Sequence, residues 1–441
     1  DLWDVNISNW ANDSMTSRFS AEGFQEPYTA FVKSLTTKPV VGVGRFTSPD
    51  TMVDQVRRGV LDFIGAARPS IADPFLPNKI ESGRENDIRE CIGCNICVAS
   101  DNVVAPIRCT QNPTTGEEWR RGWHPERIQP ASSAESVLVV GGGPAGLECA
   151  RALALRGYQT TLADSRSSIG GRVALEARLP GLSNWTRVRD YRSGQLEQLP
   201  GAEVYVNSTM DADLIEEFGS DHVVVATGSH WRRDGKGRQH KQPIPGLDYF
   251  PVFTPDDLLN PSFNIDDMPS GNIAVFDDDH YYMGGILAEH LARADRKVYL
   301  ITPASEVSTW TQHTLEQGRI QTCLLELGVH ILQQRRLERT CSASIETACI
   351  YTGRVETIDC QSIVMVTERE PERDLYDELK ARQDAGGLEK ISSIQLIGDA
   401  LAPGTIAAAV YGGHRCAREF GEEIDIDKAP FKREIPWFSE H

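Results

Sequence analysis

Apolar residues in this chain gather in short, nearly continuous runs separated by amphipathic or glycine-punctuated stretches, the pattern of buried parallel strands alternating with helices. Leu2 to Ile7 predicts a short strand and a polar loop. Tyr28 to Leu35 predicts a helix, Pro39 to Gly44 a strand ending in glycines, and Pro49 to Gly59 a helix with Asp50 in its first turn. Leu61 to Gly65 is the next strand. Three βα units cannot shield both edges of a parallel sheet, so residues 1–85 read as part of a larger sheet.

Residues 86–130 lack periodicity and read as cysteine-, glycine- and proline-rich loop. At Ser136 the texture changes. Ser136 to Val140 is a buried strand, a helix runs to Arg156, and Thr160 to Asp164 is the next strand. Further strands are expected at 223–226, 272–276, 297–301 and 393–397. The spacing predicts an α/β fold with two Rossmann-like modules: one over 131–250, resumed at 389–441, and a second, 251–388, inserted into it.

The formal net charge of −18 disfavours nucleic acid or an anionic membrane surface as a partner and suits a basic electron-transfer protein better. No apolar run approaches the ~20 residues of a membrane helix. Of ten cysteines, four crowd into 91–109 and the others are scattered, which reads as a metal cluster plus buried thiols in a reducing cytoplasm.

Cys91, Cys94 and Cys97 are spaced by two residues each, and Cys109 follows after eleven more. Three thiolates on one tight loop and a fourth from a returning segment suit the corners of a [4Fe–4S] cubane, with Gly93 letting the backbone curl in. Zinc sites more often pair C-x2-C with a distant second pair, and zinc or plain buried thiols stay open as alternatives.

Gly141, Gly143 and Gly146 follow a strand and open a helix, and Asp164 ends the next strand eighteen residues later. That context makes a dinucleotide fingerprint: the glycines admit a pyrophosphate to the helix N-terminus and Asp164 accepts from ribose hydroxyls. Gly171 and Arg172, the Ala226-Thr227-Gly228 turn and Asp399 resemble accessory motifs of FAD-type flavoproteins. The second module has Asp277-Asp278-Asp279-His280-Tyr281-Tyr282 where an NAD(P)H loop would stand. Three carboxylates and bulky side chains there oppose a pyrophosphate, and a cation site is the lesser alternative. In the first segment, loops after two strands carry Gly44, Arg45, Ala67 and Arg68. In a (β/α)8 barrel the loops after the last two strands commonly hold a phosphate, here that of FMN, with Arg68 as charge partner.

Together these stretches resemble the trimethylamine dehydrogenase family of iron–sulfur flavoproteins, nearest its histamine dehydrogenase branch. The likeness rests on Cys91 to Cys97, on Cys109-Thr110-Gln111-Asn112-Pro113 and on Arg120-Arg121-Gly122-Trp123-His124-Pro125-Glu126. It rests also on the Asp277 to Tyr282 run and on Ala402 to Ala409. The resemblance implies that residues 1–85 are the C-terminal part of an FMN-binding (β/α)8 barrel, beginning about where its sixth strand would, and that 86–130 bind the cluster. The flavin-linking Cys and the catalytic Tyr and His would then lie upstream, so this piece is not expected to turn over substrate alone.

What the family implies further is oxidation of a small amine at FMN, single electrons passing through [4Fe–4S] to an electron-transferring flavoprotein, and ADP (or FAD) in the first Rossmann module of a homodimer. Trp10 matches an aromatic wall of the substrate bowl, where cation–π attraction holds an ammonium. Asp13 matches the acid that orients the active-site His. Asp101 stands where trimethylamine dehydrogenase has an aromatic and histamine dehydrogenase an acid. Arg187 replaces an aromatic acceptor-docking residue. The rival functions are an NAD(P)H-dependent 2,4-dienoyl-CoA or enone reductase and a non-catalytic electron-transfer subunit.

Overall fold

A computed structural model of the chain describes residues 1–7, 9–132, 134–422 and 431–432; most of the expected C-terminal tail falls outside them. The N-terminal segment holds β1 (Trp3–Val5), the short helix α1 (Trp10–Asp13), β2 (Val40–Gly42), α2 (Pro49–Arg57), β3 (Phe63–Ile64) and α3 (Ala67–Ala72). The three strands pair in parallel in chain order, and their outer edges are unpaired among the described residues. Leu2, Phe31, Leu35 and Phe63 are more than half exposed on this segment. The helix expected at Tyr28 to Leu35 is a single α turn, Glu26–Thr29, continued as the 3-10 helix Ala30–Leu35.

The stretch expected to be loop contains α4 (Ile96–Asn102) and a further helical turn at Glu118–Arg121. The first Rossmann module follows with β4 (Ser136–Val140), α5 (Pro144–Arg156), β5 (Gln159–Ala163), α6 (Arg187–Gln198), β6 (Ala202–Tyr205) and β7 (His222–Val225). The chain leaves it through β8 (Ser229–Trp231) and enters β9 (Val252–Phe253), β10 (Ile273–Asp277), α7 (Tyr282–Arg293), β11 (Val298–Ile301) and β12 (His330–Leu332). Then come β13 (Arg335–Cys341), β14 (Ser344–Cys349), β15 (Val355–Asp359) and β16 (Ser362–Val366). The return runs through β17 (Arg369–Pro371), β18 (Ser393–Leu396) and α8 (Ile406–Glu419).

Two five-stranded parallel sheets result, ordered β18-β7-β4-β5-β6 and β12-β11-β10-β16-β9. The antiparallel pair β8–β17 ties the outgoing and returning chain together, so the second module is an insertion in the first. The antiparallel β13-β14-β15 sheet closes one face of the second, where Leu337 and Ile345 pack on Phe276 and Met365. In the first module α8 lies against α5 at a contact only glycine allows: a Cβ on Gly413 would stand 2.1 Å from the Ala145 carbonyl oxygen. Among the described residues no helix is long and apolar enough to cross a membrane.

Candidate functional site

Cys91, Cys94 and Cys97 lie on the turn leading into α4. Gly93 (φ +65°) and Asn95 (φ +55°) both take the left-handed conformation that curls it. A Cβ on Gly93 would stand 2.7 Å from the Ser17 amide nitrogen. Residues 14–17 clamp the loop: the Ser17 amide donates to Gly93 O (3.0 Å), its hydroxyl to Ile92 O (2.6 Å), and Asn95 Nδ2 to Ser14 O (2.6 Å). Asn95 Nδ2 also donates to Thr314 O of the inserted module (3.0 Å), and Thr47 Oγ1 accepts from the Cys91 amide (2.8 Å).

All four cysteines are free and half-buried, while Ile92, Asn95, Ile96 and Thr110 around them are buried. The sulfurs take hydrogen bonds from the protein: Gly93 N to Cys91, the Thr110 hydroxyl against Cys94 (3.2 Å), and the amides of Gln111 and Asn112 to Cys109. Burial, followed by mutual repulsion among the four, pushes the Cys94 thiol up to about 12 and Cys97 higher still. Burial likewise carries Cys109 to about 11. Such thiols ionise together only around a cationic centre, and donors already aimed at sulfur suit the thiolates of an iron–sulfur cubane. Among the described residues no three His, Cys, Asp or Glu side chains converge tightly enough for a single metal ion.

The glycine loop is shaped as its sequence requires. Gly141 has φ +112°, and a Cβ there would lie 2.3 Å from Ala226 O; one on Gly146 would lie 1.8 Å from Gly141 O. Gly143, the N-cap of α5, faces open space where a pyrophosphate would approach. Asp164 ties two loops by accepting from the amides of Gly142 (2.7 Å) and Arg166 (2.8 Å), and it still borders the cleft. Gly171 packs on Gly143, Arg172 donates to Ser229 O while its Nη1 is buried without a partner, and Asp399 accepts from Ser229 Oγ and the Gly404 amide. These groups fit an adenine nucleotide diphosphate. One cavity of about 520 Å³ runs from Gly141, Asp164 and Asp399 to Cys94 and Thr110, so cleft and cysteine loop share a wall.

In the inserted module the carboxyl of Asp277 occupies the first turn of α7: a Cβ on Gly284 would meet it at 2.4 Å, and its Oδ1 accepts from the His280 amide (3.0 Å). Burial raises Asp277 to about 7. Asp278 accepts from the Gln239 amide, Tyr282 donates to Glu176 (2.6 Å), and Tyr281 packs edge-on against Trp310. The place of a pyrophosphate at this helix is taken by the protein's own side chains.

Gly44, Arg45, Ala67 and Arg68 follow β2 and β3, as expected. The arginine side chains, however, turn toward the cysteine loop. Arg68 Nη1 donates to Ser14 O, Met15 O and Asn95 Oδ1; Arg45, buried with φ +56°, donates to Ser20 O. Phosphate binding at these loops would therefore lean on backbone amides.

Residues 1–87 match the NADH:flavin oxidoreductase / NADH oxidase family, and residues 139–192 match the NAD(P)-binding Rossmann-like domain. Dimethylamine dehydrogenase of Hyphomicrobium sp. (strain x) is 40% identical over 98% of this chain and 62% of its own length. Histamine dehydrogenase from Rhizobium sp. 4-9 superposes with a TM-score of 0.96 at 51% identity, over 99% of this chain and 63% of that one. The 6-hydroxypseudooxynicotine amine oxidase of Pseudomonas geniculata N1 gives 0.91 at 50% identity, over 95% and 62%. These likenesses are consistent with the trimethylamine dehydrogenase family that the sequence resembles. The chain spans about three fifths of the length of these relatives.

The positions that the resemblance matches to the substrate bowl lie on two short helices. Trp10 and Asp13 are on α1, whose N-cap Asn9 accepts from the Asn12 amide; Trp10 is half-exposed. Asp13 has a buried, unpartnered Oδ1, and burial raises its pKa. Asp101 is exposed on α4, and the Asn95–Ser14 bond links the two helical regions. Arg187, matched to a docking position, is engaged instead with the cysteine loop: it donates to Cys91 O (3.1 Å) and pairs with Glu90 (2.8 Å) and Glu22 (3.4 Å). A buried group unread in the sequence braces the same loop. Arg192 joins Glu148 of α5 to the side chain and carbonyl of Gln111, two residues past Cys109. Only the periodicity of α5, which puts a Glu among buried Ala and Leu, could have pointed to it.

Proposed function

We propose that this chain is the electron-relay portion of a flavin- and iron–sulfur-dependent amine dehydrogenase acting on a small histamine-like or methylated amine. The supporting observation is the cysteine loop itself, clamped by residues 14–17 of the flavin-barrel segment and opening on the same cavity as the nucleotide cleft. Relatives named for dimethylamine and histamine oxidation favour an amine over an enone. Cys91, Cys94, Cys97 and Cys109 would hold the [4Fe–4S] cluster; Gly141, Gly143, Gly146, Asp164, Gly171, Arg172 and Asp399 would hold ADP or FAD; the loops at Gly44, Arg45, Ala67 and Arg68 would border FMN. When bound, the flavin supplies two-electron oxidation of the amine and the cluster supplies one-electron relay.

The chain's own residues do the positioning. Trp10 offers a π face to a cationic amine. Asp13, with one oxygen unpartnered, is suited to accept from an imidazole supplied by the upstream half. Asp101 gives an amine with several N–H groups a charged acceptor of which a fully methylated amine, with at most one N–H, makes less use. The acidic surface and free thiols suit a homodimer in the cytoplasm handing electrons to an electron-transferring flavoprotein.

The test is anaerobic: the complete protein, as isolated with flavin, is mixed with a panel of amines and, separately, with NAD(P)H. Bleaching by an amine alone is expected. Bleaching by NAD(P)H and by no amine would replace this reading with the enone reductase.

A further inference from the structure

We infer that Arg45 is the counter-charge of the cluster held by the four cysteines and raises that cluster's affinity for an electron. The inference deepens the cluster reading and rests on it. Arg45 is 3% exposed and meets no carboxylate within ion-pair distance among the described residues. Its Nη2 donates to Ser20 O, while Nε and Nη1 are buried with no partner. Nη1 lies 3.0 Å from where a Gly93 Cβ would be, so the guanidinium is pressed against the inner face of the cysteine turn.

An unneutralised buried cation is strongly destabilising, and a fold keeps one where an anion completes it. Of the other arginines near the loop, Arg187 is matched by Glu90 and Glu22 and Arg89 by Glu126, while Arg68 meets no carboxylate among the described residues but has Nη1 taken up by Ser14 O, Met15 O and Asn95 Oδ1. Glu22, the carboxylate nearest in sequence to Ser20, is itself occupied by the amides of Thr47 and Ser48 and by Arg187. Among the groups around Arg45, Cys91 as thiolate exerts the largest favourable pull. The strained left-handed backbone at Arg45, rare for a long side chain, is what directs it inward. A cluster held by the four thiolates would gain one negative charge on taking up an electron, and a fixed cation beside it would favour that reduced form.

The experiment reconstitutes the 441-residue chain anaerobically with iron and sulfide and follows reduction by EPR-monitored potentiometry, for the parent, Arg45→Gln and Arg45→Lys. With equal iron and sulfide content, Arg45→Gln is expected to lower the electron affinity at least tenfold, ~59 mV for a one-electron couple, and Arg45→Lys to stay within threefold of the parent. Loss of the cluster in Arg45→Gln with retention in Arg45→Lys also supports the counter-charge. An unmoved potential in a fully loaded Arg45→Gln overturns it, as does loss of the cluster from both variants, which would make the residue structural. A parent chain that takes up neither iron nor sulfide would refute the cluster itself, a separate result.

Discussion

Glu148 is the residue whose loss should be felt most widely. Its side chain is fully buried on α5, and both oxygens are engaged. Oε1 accepts from Arg151 (2.6 Å) and His414 Nδ1 (2.8 Å), and Oε2 from Arg192 (2.8 Å). Two guanidiniums, 4% and 0% exposed, depend on this one carboxylate. Glu148→Gln leaves both without a counter-ion and turns an amide N–H toward donors. Removing one partner of a buried ion pair costs about 3–5 kcal/mol, and the doubled dependence puts this case at the upper end. For a unit the size of the first module that is a fall in Tm of about 6–20 °C. Thermal unfolding followed by circular dichroism measures it, and Arg192→Gln with the double variant completes a cycle whose coupling energy should exceed about 1 kcal/mol. Because Arg192 also holds Gln111, iron retention should fall alongside stability. A shift below about 2 °C, or additive single effects, would refute the brace.

His414 Nε2 accepts from Arg418 (3.0 Å), so Nδ1 carries the proton and the ring is neutral. Burial holds its pKa down at about 4, so the unfolded chain takes up a proton that the folded one refuses as pH drops from about 6.5 to about 4. Stability should therefore fall over that window by roughly 3 kcal/mol. Glu148, held well below the usual carboxylate range by its arginines despite its burial, adds loss in the same direction at lower pH. Urea midpoints at several pH values check this, and His414→Gln should flatten the slope. Gly141→Ala forces a Cβ to 2.3 Å from Ala226 O at φ +112° and should abolish bound adenine nucleotide, read by mass spectrometry of denatured protein. In the full-length enzyme Asp101→Ala should raise KM about 10–100-fold for an imidazole or diamine substrate, the worth of a charge-assisted hydrogen bond. It should barely move KM for trimethylamine, and equal effects on both would remove the anchor role.

Much of the architecture was legible because its signals are local. Ser136 to Val140 followed by Gly141, Gly143 and Gly146 specifies strand, turn and helix within eleven residues, and the structure builds all three. The insertion was visible as a second strand–helix alternation before Ile394 returns to the first sheet. What stayed hidden depends on partners distant in sequence. β16 is a fully buried interior strand between β10 and β9, yet an apolar run as short as Ser362–Val366 does not distinguish strand from buried helix. α4 begins at an asparagine in the left-handed conformation, whose reason is the pair of carbonyls, Ser14 and Thr314, that its side chain joins. Arg45 and Arg68 were recognised as placed after strands, but which way a guanidinium points is decided by acceptors at residues 14–20.

The charge distribution gives the site its sense. A chain with a net charge of −18 keeps Arg45, Arg68, Arg89 and Arg187 around one short loop, two of them buried almost completely. They are fastened to three parts of the molecule: Arg45 and Arg68 to residues 14–20, Arg89 to Glu126, and Arg187, at the head of α6, to Cys91 O. Arg89 and Arg187 have carboxylate partners, but Arg45 and Arg68, held by uncharged oxygen acceptors and with no carboxylate at ion-pair distance among the described residues, would not persist in the absence of an anion for them to face. The surface acids are left to act at long range, where they would draw in a basic acceptor and be screened by salt. On the proposed function the two charge populations would divide the work: arginines at the loop would govern how readily an electron arrives, and surface carboxylates how quickly a partner comes to collect it. Raising ionic strength should consequently slow reoxidation by a basic acceptor while leaving the potential of the loop's cluster unchanged.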